Sequence, residues 1–231
     1  MLFDIAWDID HGAWAFALSI LPILLRGLLV TLEATLVGFF IAAVLGLGLA
    51  ALKASSNAII AWPARIIGEF LRDTPLLIQL FFLYYVLPDY GLVLPAFLTG
   101  ALALGLQYSI YLSEVYRAGI ESVPRGQIEA ARALDLSTAH IFRNIVLAQA
   151  FPRIIPALGN YLVSIMKDVP VLSVVAVLEL LNVARIIGDR TFNYLIPLSL
   201  VGALYLCMTL LASAALRRLG KSLPQQGWPL R

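Results

Sequence analysis

Lys167 and Asp168 stand side by side at the end of an apolar segment, and Pro170 follows at once. An ammonium and a carboxylate at that depth are costly in hydrocarbon, so they must face protein, water or a solute. Two readings are open. The charges either pair with each other as a structural lock, or line a polar solute path with the backbone groups freed where proline ends the helix. A second break of the same kind lies at residues 68–75, G-E-F-L-R-D-T-P, where Arg72, Thr74 and Gln79 flank Pro75. Glu114 supplies a further carboxylate, although Arg117 three positions on makes an ion pair near one surface its plainer role. Asp168, Lys167, Arg72, Thr74, Gln79 and Glu114 are the candidate pathway residues.

Other chemistries lack their residues. No H-E-x-x-H occurs, and no His, Cys and Asp cluster has ligand spacing; Cys207 is single, and His11 and His140 are far apart. Gly220-Lys221-Ser222 resembles the end of a phosphate-cradling loop, but Ala215 stands where its first glycine belongs and no strand precedes it. No close Ser–His pair suggests a nucleophile. An intramembrane enzyme would need a dyad that is not evident, so no catalytic role, bound cofactor or nucleic-acid partner is expected.

The elements that position these residues are membrane helices. Of the 231 residues, 61% are hydrophobic and 13% charged, against a charged share of about 25% in soluble domains. The fold class is therefore an all-α polytopic membrane protein in a lipid bilayer, with about five transmembrane helices. Residues 1–26, acidic and rich in Trp and Phe, read as an N-terminal interfacial segment without a basic leader. Spans are expected at residues 27–52, 59–87 (broken near Pro75), 95–118, a short one at 153–167, and 194–216. Between the last two, residues 171–181 are too short to cross and 182–193 are polar; a basic tail occupies 217–231. In the first span Ala34, Gly38, Ala42, Gly46 and Ala50 recur every fourth residue, a spacing that favours close helix packing.

Residues 124–149 are neither a span nor a short tie. Apolar residues three and four apart, Ile128, Ala131 and Leu134, then Ile141 and Ile145, predict a hairpin of two short helices. Asp135-Leu136-Ser137 breaks it, with Asp135 or Ser137 able to cap the second helix. With the hairpin inside, eleven Lys and Arg lie on the inner side against Arg26, Arg185 and Arg190 outside. The positive-inside rule then gives N-terminus out and C-terminus in. From pattern alone, the hairpin either lies on the membrane surface as a connector or is presented to a partner.

Its sequence, V-P-R-G-Q followed by Glu129-Ala130-Ala131 and F-R-N-I-V-L, resembles the cytoplasmic EAA loop of bacterial ABC importer membrane subunits. F-L-R-D-T-P-L-L-I-Q-L-F-F-L-Y-Y, Y-L-S-E-V-Y-R-A-G-I and P-A-L-G-N-Y-L-V-S-I-M-K-D are similar to the polar amino acid (His/Glu/Gln/Arg/opine) permease subfamily. These motifs occur in the family's order across residues 27–216, which would form the transmembrane domain. Asp135 replaces the loop glycine, Ala148 replaces a proline, Asp73 replaces a glycine, and Lys167-Asp168-Val169-Pro170-Val171 stands for K-D-T-S-L.

The resemblance implies a permease subunit of an ATP-driven importer that carries a polar amino acid or a related small solute inward. It implies a coupling helix docked on a cytoplasmic ABC ATPase through Gly126, Glu129, Ala130, Ala131 and Asp135, the partner alone using ATP. It also implies a second permease subunit, identical or paralogous, and an extracytoplasmic solute-binding protein. Asp168 is then the first choice to face a substrate ammonium, with Lys167 fixing that carboxylate or meeting a substrate carboxylate. The competing class is a non-transporting scaffold that recruits a cytoplasmic partner through the hairpin.

Overall fold

Residues 12–222 are described by the computed structural model, so Trp7, His11, the first aspartates and the last residues of the tail lie outside the described residues. The first helix, α1, runs over Ala13–Lys53. At ~1.5 Å per residue it is about 60 Å long, roughly twice the hydrocarbon thickness. The helix that carries the span expected at residues 27–52 thus starts fourteen residues earlier. Packing explains the difference: Phe16, Ile20, Ile23 and Leu24 are buried in a core with Leu180, Val183, Ile187 and Val201, which holds residues 13–26 helical through Pro22.

The small-residue stripe of α1 packs on α4 (Ala96–Glu121). A Cβ on Gly38 would stand 3.1 Å from the Leu104 Cβ, and one on Gly46 would stand 2.7 Å from the Ser109 carbonyl oxygen. Helices in lipid gain from such close approach because there is no water to expel. Ala34, Ala42, Leu104 and Leu112 join Ile165 and Leu172 in a second core, so α1 and α4 together form the wall against which the later spans stand.

Between them lies the broken span. Helix α2 (Ala58–Asp73) and α3 (Leu76–Phe81), prolonged by wider and tighter turns to Tyr90, meet at an angle of 103°. Pro75 has no N–H to give the Leu71 carbonyl four residues back, which is why the helix breaks there. With this bent pair counted as one, five helical units among the described residues are long and apolar enough to cross a membrane.

The hairpin forms as its sequence pattern requires. Helix α5 (Arg125–Ala133) ends before Asp135, whose φ of 57° is left-handed; an aspartate tolerates that conformation better than most residues. Ser137 then caps α6 (Thr138–His140), its hydroxyl accepting from the His140 N–H at 3.3 Å. From Thr138 the chain is helical without a break through a π turn (Ile141–Val146), α7 (Leu147–Asp168) and a 3-10 turn (Val169–Val175). The expected short fourth span at residues 153–167 is therefore the upper part of one helix of 38 residues. Pro152 and Pro156 lie inside it without ending it.

As expected, α7 stops at Asp168, ahead of Pro170. The polar stretch at 182–193 is instead mostly helix α8 (Leu180–Thr191), laid on α1, with α9 (Leu195–Ser222) completing the bundle. Glu179 starts α8: its buried carboxylate accepts from the Leu181 and Asn182 N–H groups at 2.8 and 2.7 Å. Burial raises its pKa above the usual carboxylate range, and the two N–H donors oppose that shift. Helix α9 continues through Arg217 and Arg218 to Ser222, past the expected end of the last span.

Candidate functional site

The structure divides the predicted pathway residues among different places. Asp168 ends α7 half-buried, and the Tyr108 phenol on α4 donates to its Oδ2 at 2.7 Å. Tyr108 stands about 20 Å along α4 from Glu121, at ~1.5 Å per residue, well inside the span. Tyr111 and Tyr161 stack with ring centroids 5.8 Å apart, and Tyr108 meets both edge-on at 5.8 and 6.2 Å. A carboxylate beside aromatic rings is chemically suited to an ammonium group, which gains from both the charge and the ring quadrupoles. The sequence reading did not single out these tyrosines. Their signal was spacing: Tyr108 and Tyr111 are three apart on α4, and Tyr161 lies two turns before Asp168 on α7.

Lys167 does not share this site. Its side chain is exposed beside Pro170, Tyr205, Leu206 and Thr209, towards α9. Among the described residues no ion pair joins it to Asp168, so the structural-lock reading falls.

Gln79 and Thr74 belong to the helix break. The Gln79 Nε2 donates to the Leu71 carbonyl at 2.8 Å and the Thr74 carbonyl at 3.0 Å, replacing partners that the backbone lost at Pro75. Gln107 of α4 meets the same amide. Thr74 turns its hydroxyl back on the Phe70 carbonyl at 2.7 Å.

Glu114 and Arg72 join a charged cluster at the level where α1 ends. Glu114 takes Lys53 at 3.2 Å, Arg117 at 2.7 Å and Arg72 at 3.8 Å. The expected Glu114–Arg117 pair is present, but Arg72, read as lying within the membrane, stands with Lys53 near the hairpin end of the bundle. The physical reason is the bend: α2 turns through 103° into α3 only after Arg72, and its last turns lie beside Lys53, whose side chain meets Gly68.

On the hairpin, Gly126, Glu129, Ala130 and Asp135 are exposed. Ala131 is not: it is 3% exposed and packs with Val123, Ile141, Val146 and Ile154 in the hairpin's own core. Leu134, read as part of the buried stripe, is 75% exposed beside the left-handed Asp135. Two steps of three residues carry Leu134 about 120° round α5 from Ile128, at ~100° per residue, and so off the buried stripe.

Comparison with known proteins gives one consistent answer. A probable amino-acid ABC transporter permease protein, y4tG, of Sinorhizobium fredii is 61% identical over 231 residues, covering all of both chains. A Rickettsia conorii protein named for glutamine transport is 35% identical, with 82% of this chain and 88% of that one covered. Among solved structures, an amino acid ABC transporter with histidines superposes with a TM-score of 0.85 at 36% identity, over 89% of this chain and 96% of that one. Residues 42–224 match the binding-protein-dependent transport system inner membrane component family. With its broken second span, its exposed hairpin and this match over most of its length, the chain belongs to that family of membrane permeases.

Proposed function

We propose that the chain is one of two paired permease subunits, identical or paralogous, that pass a polar amino acid or a related small solute into the cytoplasm, and that Asp168 receives the solute's ammonium. Membership in a transport family sets aside the scaffold reading and any enzymatic one. The observation that carries the site assignment is the Tyr108–Asp168 contact where α7 ends inside the membrane. Glutamine, for which one relative is named, and histidine, named together with one solved transporter, share the α-ammonium and α-carboxylate and differ in side chain. A carboxylate that takes the common ammonium fits both.

In this reading the hairpin lies in the cytoplasm, with the N-terminus out and the C-terminus in. A cytoplasmic ABC ATPase grips its exposed face, Gly126, Glu129, Ala130, Leu134 and Asp135. That partner consumes the ATP, and an extracytoplasmic binding protein delivers the solute. Helices α6 and α7 form one continuous rod from the hairpin to Asp168, so a tilt imposed on the hairpin is transmitted to the carboxylate without an intervening joint. The test is Asp168→Asn in vesicles containing the ATPase and binding protein. Uptake should fall roughly tenfold or more through loss of a charge-assisted contact, while the ATPase still co-purifies. Uptake at the parent rate would remove Asp168 from the path.

A further inference from the structure

The charged side of α2 serves none of the roles above. α2 makes an angle of 103° with α3 and stands beside the end of α1, with the Lys53 side chain against Gly68. Ala61, Ala64 and Gly68 are its buried face. At about 100° per residue, Arg65, Glu69 and Arg72 fall on one flank, and the exposed Ile59, Ile66 and Phe70 centre roughly 110° further round, opposite the buried face. A helix with that division, beside the charged end of α1, suits a membrane–water interface. Trp62, 67% exposed, suits the same depth.

Between this charged flank and α4 lies a cleft of about 420 Å³. Its cations are Lys53, Arg65, Arg72 and Arg117. Its carboxylates are Glu69, Glu114 and Glu121, which leaves one net positive charge. The pairing is uneven. Lys53 and Arg117 are held at 3.2 and 2.7 Å by Glu114, and Arg117 again at 2.8 Å by Glu121. Arg72 reaches Glu114 only at 3.8 Å, and among the described residues Arg65 makes no ion pair. Glu69 stands one turn from each of these arginines and pairs with neither.

We propose that this cleft holds the phosphodiester headgroup of one anionic phospholipid from the adjoining leaflet, with Arg65 and Arg72 on the phosphate and the acyl chains along the apolar flank of α2. Guanidinium groups with unused donors match phosphate oxygens, and a phosphodiester monoanion balances the net charge of the lining. The apolar flank beside the cleft selects an amphiphile over a free anion or an amino acid. The leaflet is the cytoplasmic one if the topology proposed above holds; the site itself does not depend on it.

The test uses the full-length chain, delipidated in detergent and titrated with phosphatidylglycerol or phosphatidylethanolamine, with retained lipid counted by native mass spectrometry. One phosphatidylglycerol per chain should bind more tightly than phosphatidylethanolamine. The double substitution Arg65→Gln, Arg72→Gln should weaken it roughly tenfold or more, whereas Arg217→Gln with Arg218→Gln should not. Arg65→Lys with Arg72→Lys keeps the charge and should retain part of the binding, which separates a lost site from a lost fold. The proposal is overturned if the double Gln variant binds phosphatidylglycerol as the parent does, or if the two lipids bind alike. It is overturned equally if glycerol phosphate or free glutamine displaces the lipid, which would make the cleft a site for a small soluble ion. Neither uptake nor ATP hydrolysis is read, so this result and that of Asp168→Asn stand apart.

Discussion

The Tyr108 phenol lies 2.7 Å from the Asp168 Oδ2, joining α4 to the last turn of α7 across sixty positions of sequence. A hydrogen bond to a charged group is worth ~1.5–3 kcal/mol, enough to hold the carboxylate in one rotamer where Pro170 ends the helix. Tyr108→Phe keeps the ring and its contacts with Tyr111 and Tyr161 but removes the donor. Uptake at low solute should fall about tenfold, mainly through a raised KM, because the carboxylate remains but is no longer held in place. Initial uptake rates across a solute series check this; an unchanged KM would mean that the phenol does not position Asp168 for solute.

The wall between α1 and α4 offers a sharper contrast. A Cβ on Gly46 would stand 2.7 Å from the Ser109 carbonyl oxygen, whereas one on Gly48 would meet nothing within 4 Å. Gly46→Ala should therefore destabilise the purified chain by ~1–3 kcal/mol through forced separation of the helices. Gly48→Ala should be neutral or up to about 1 kcal/mol more stable, from helix propensity alone. Thermal unfolding midpoints in detergent compare the pair directly, and equal midpoints would show that the close approach is not needed.

Much of this was legible in the sequence, for reasons that differ by residue. The stripe from Ala34 to Ala50 announced a packing face because its period is that of the helix and its members are small. Pro75 announced a break, and Pro170 the end of regular α-helix, because each lacks an N–H. Pro152 and Pro156 did not break α7, since packing of the helix around them outweighs the lost bonds. Spacing also does not state depth. Arg72 and Asp168 both sit just before a proline, yet a bend of 103° places one in a surface cluster, while the unbroken helix through α7 carries the other to Tyr108. The partner that defines the candidate site was sixty residues away, where no local pattern can point.

Gln79 is a case where a polar residue inside a span serves the backbone. Its amide satisfies the Leu71 and Thr74 carbonyls, and a buried acceptor left without a donor costs ~1–3 kcal/mol. Gln79→Leu should lower the thermal midpoint by an amount in that range. It should also expose the break to protease near residues 74–75, with solute affinity in the surviving folded fraction unchanged. A variant that melts with the parent would show that another group, Gln107 being the nearest, caps the break alone.

The hairpin's exposed face separates two kinds of failure that a transport assay would otherwise merge. Leu134 is a large apolar side chain, 75% exposed, at the end of α5. Such a residue is expected to be a binding anchor, since truncating or charging an anchor costs ~2 kcal/mol or more. Leu134→Glu should therefore weaken co-purification with the ATPase by roughly thirtyfold while leaving the fold intact, because Leu134 is mostly exposed and lies outside the hairpin's core. Glu129→Lys places the opposite charge on the same face and should leave some complex whose ATP hydrolysis no longer drives uptake. Ala131→Asp should fail differently: its site is the hairpin core with Val123 and Ile154, so the loss should appear as a lower thermal midpoint of the isolated chain. Measuring ATPase pull-down, hydrolysis per solute transported and midpoint on all three distinguishes contact, coupling and folding. A Leu134→Glu chain that retains its ATPase at parent affinity would mean that the docking face lies elsewhere on the hairpin, or on another part of the chain.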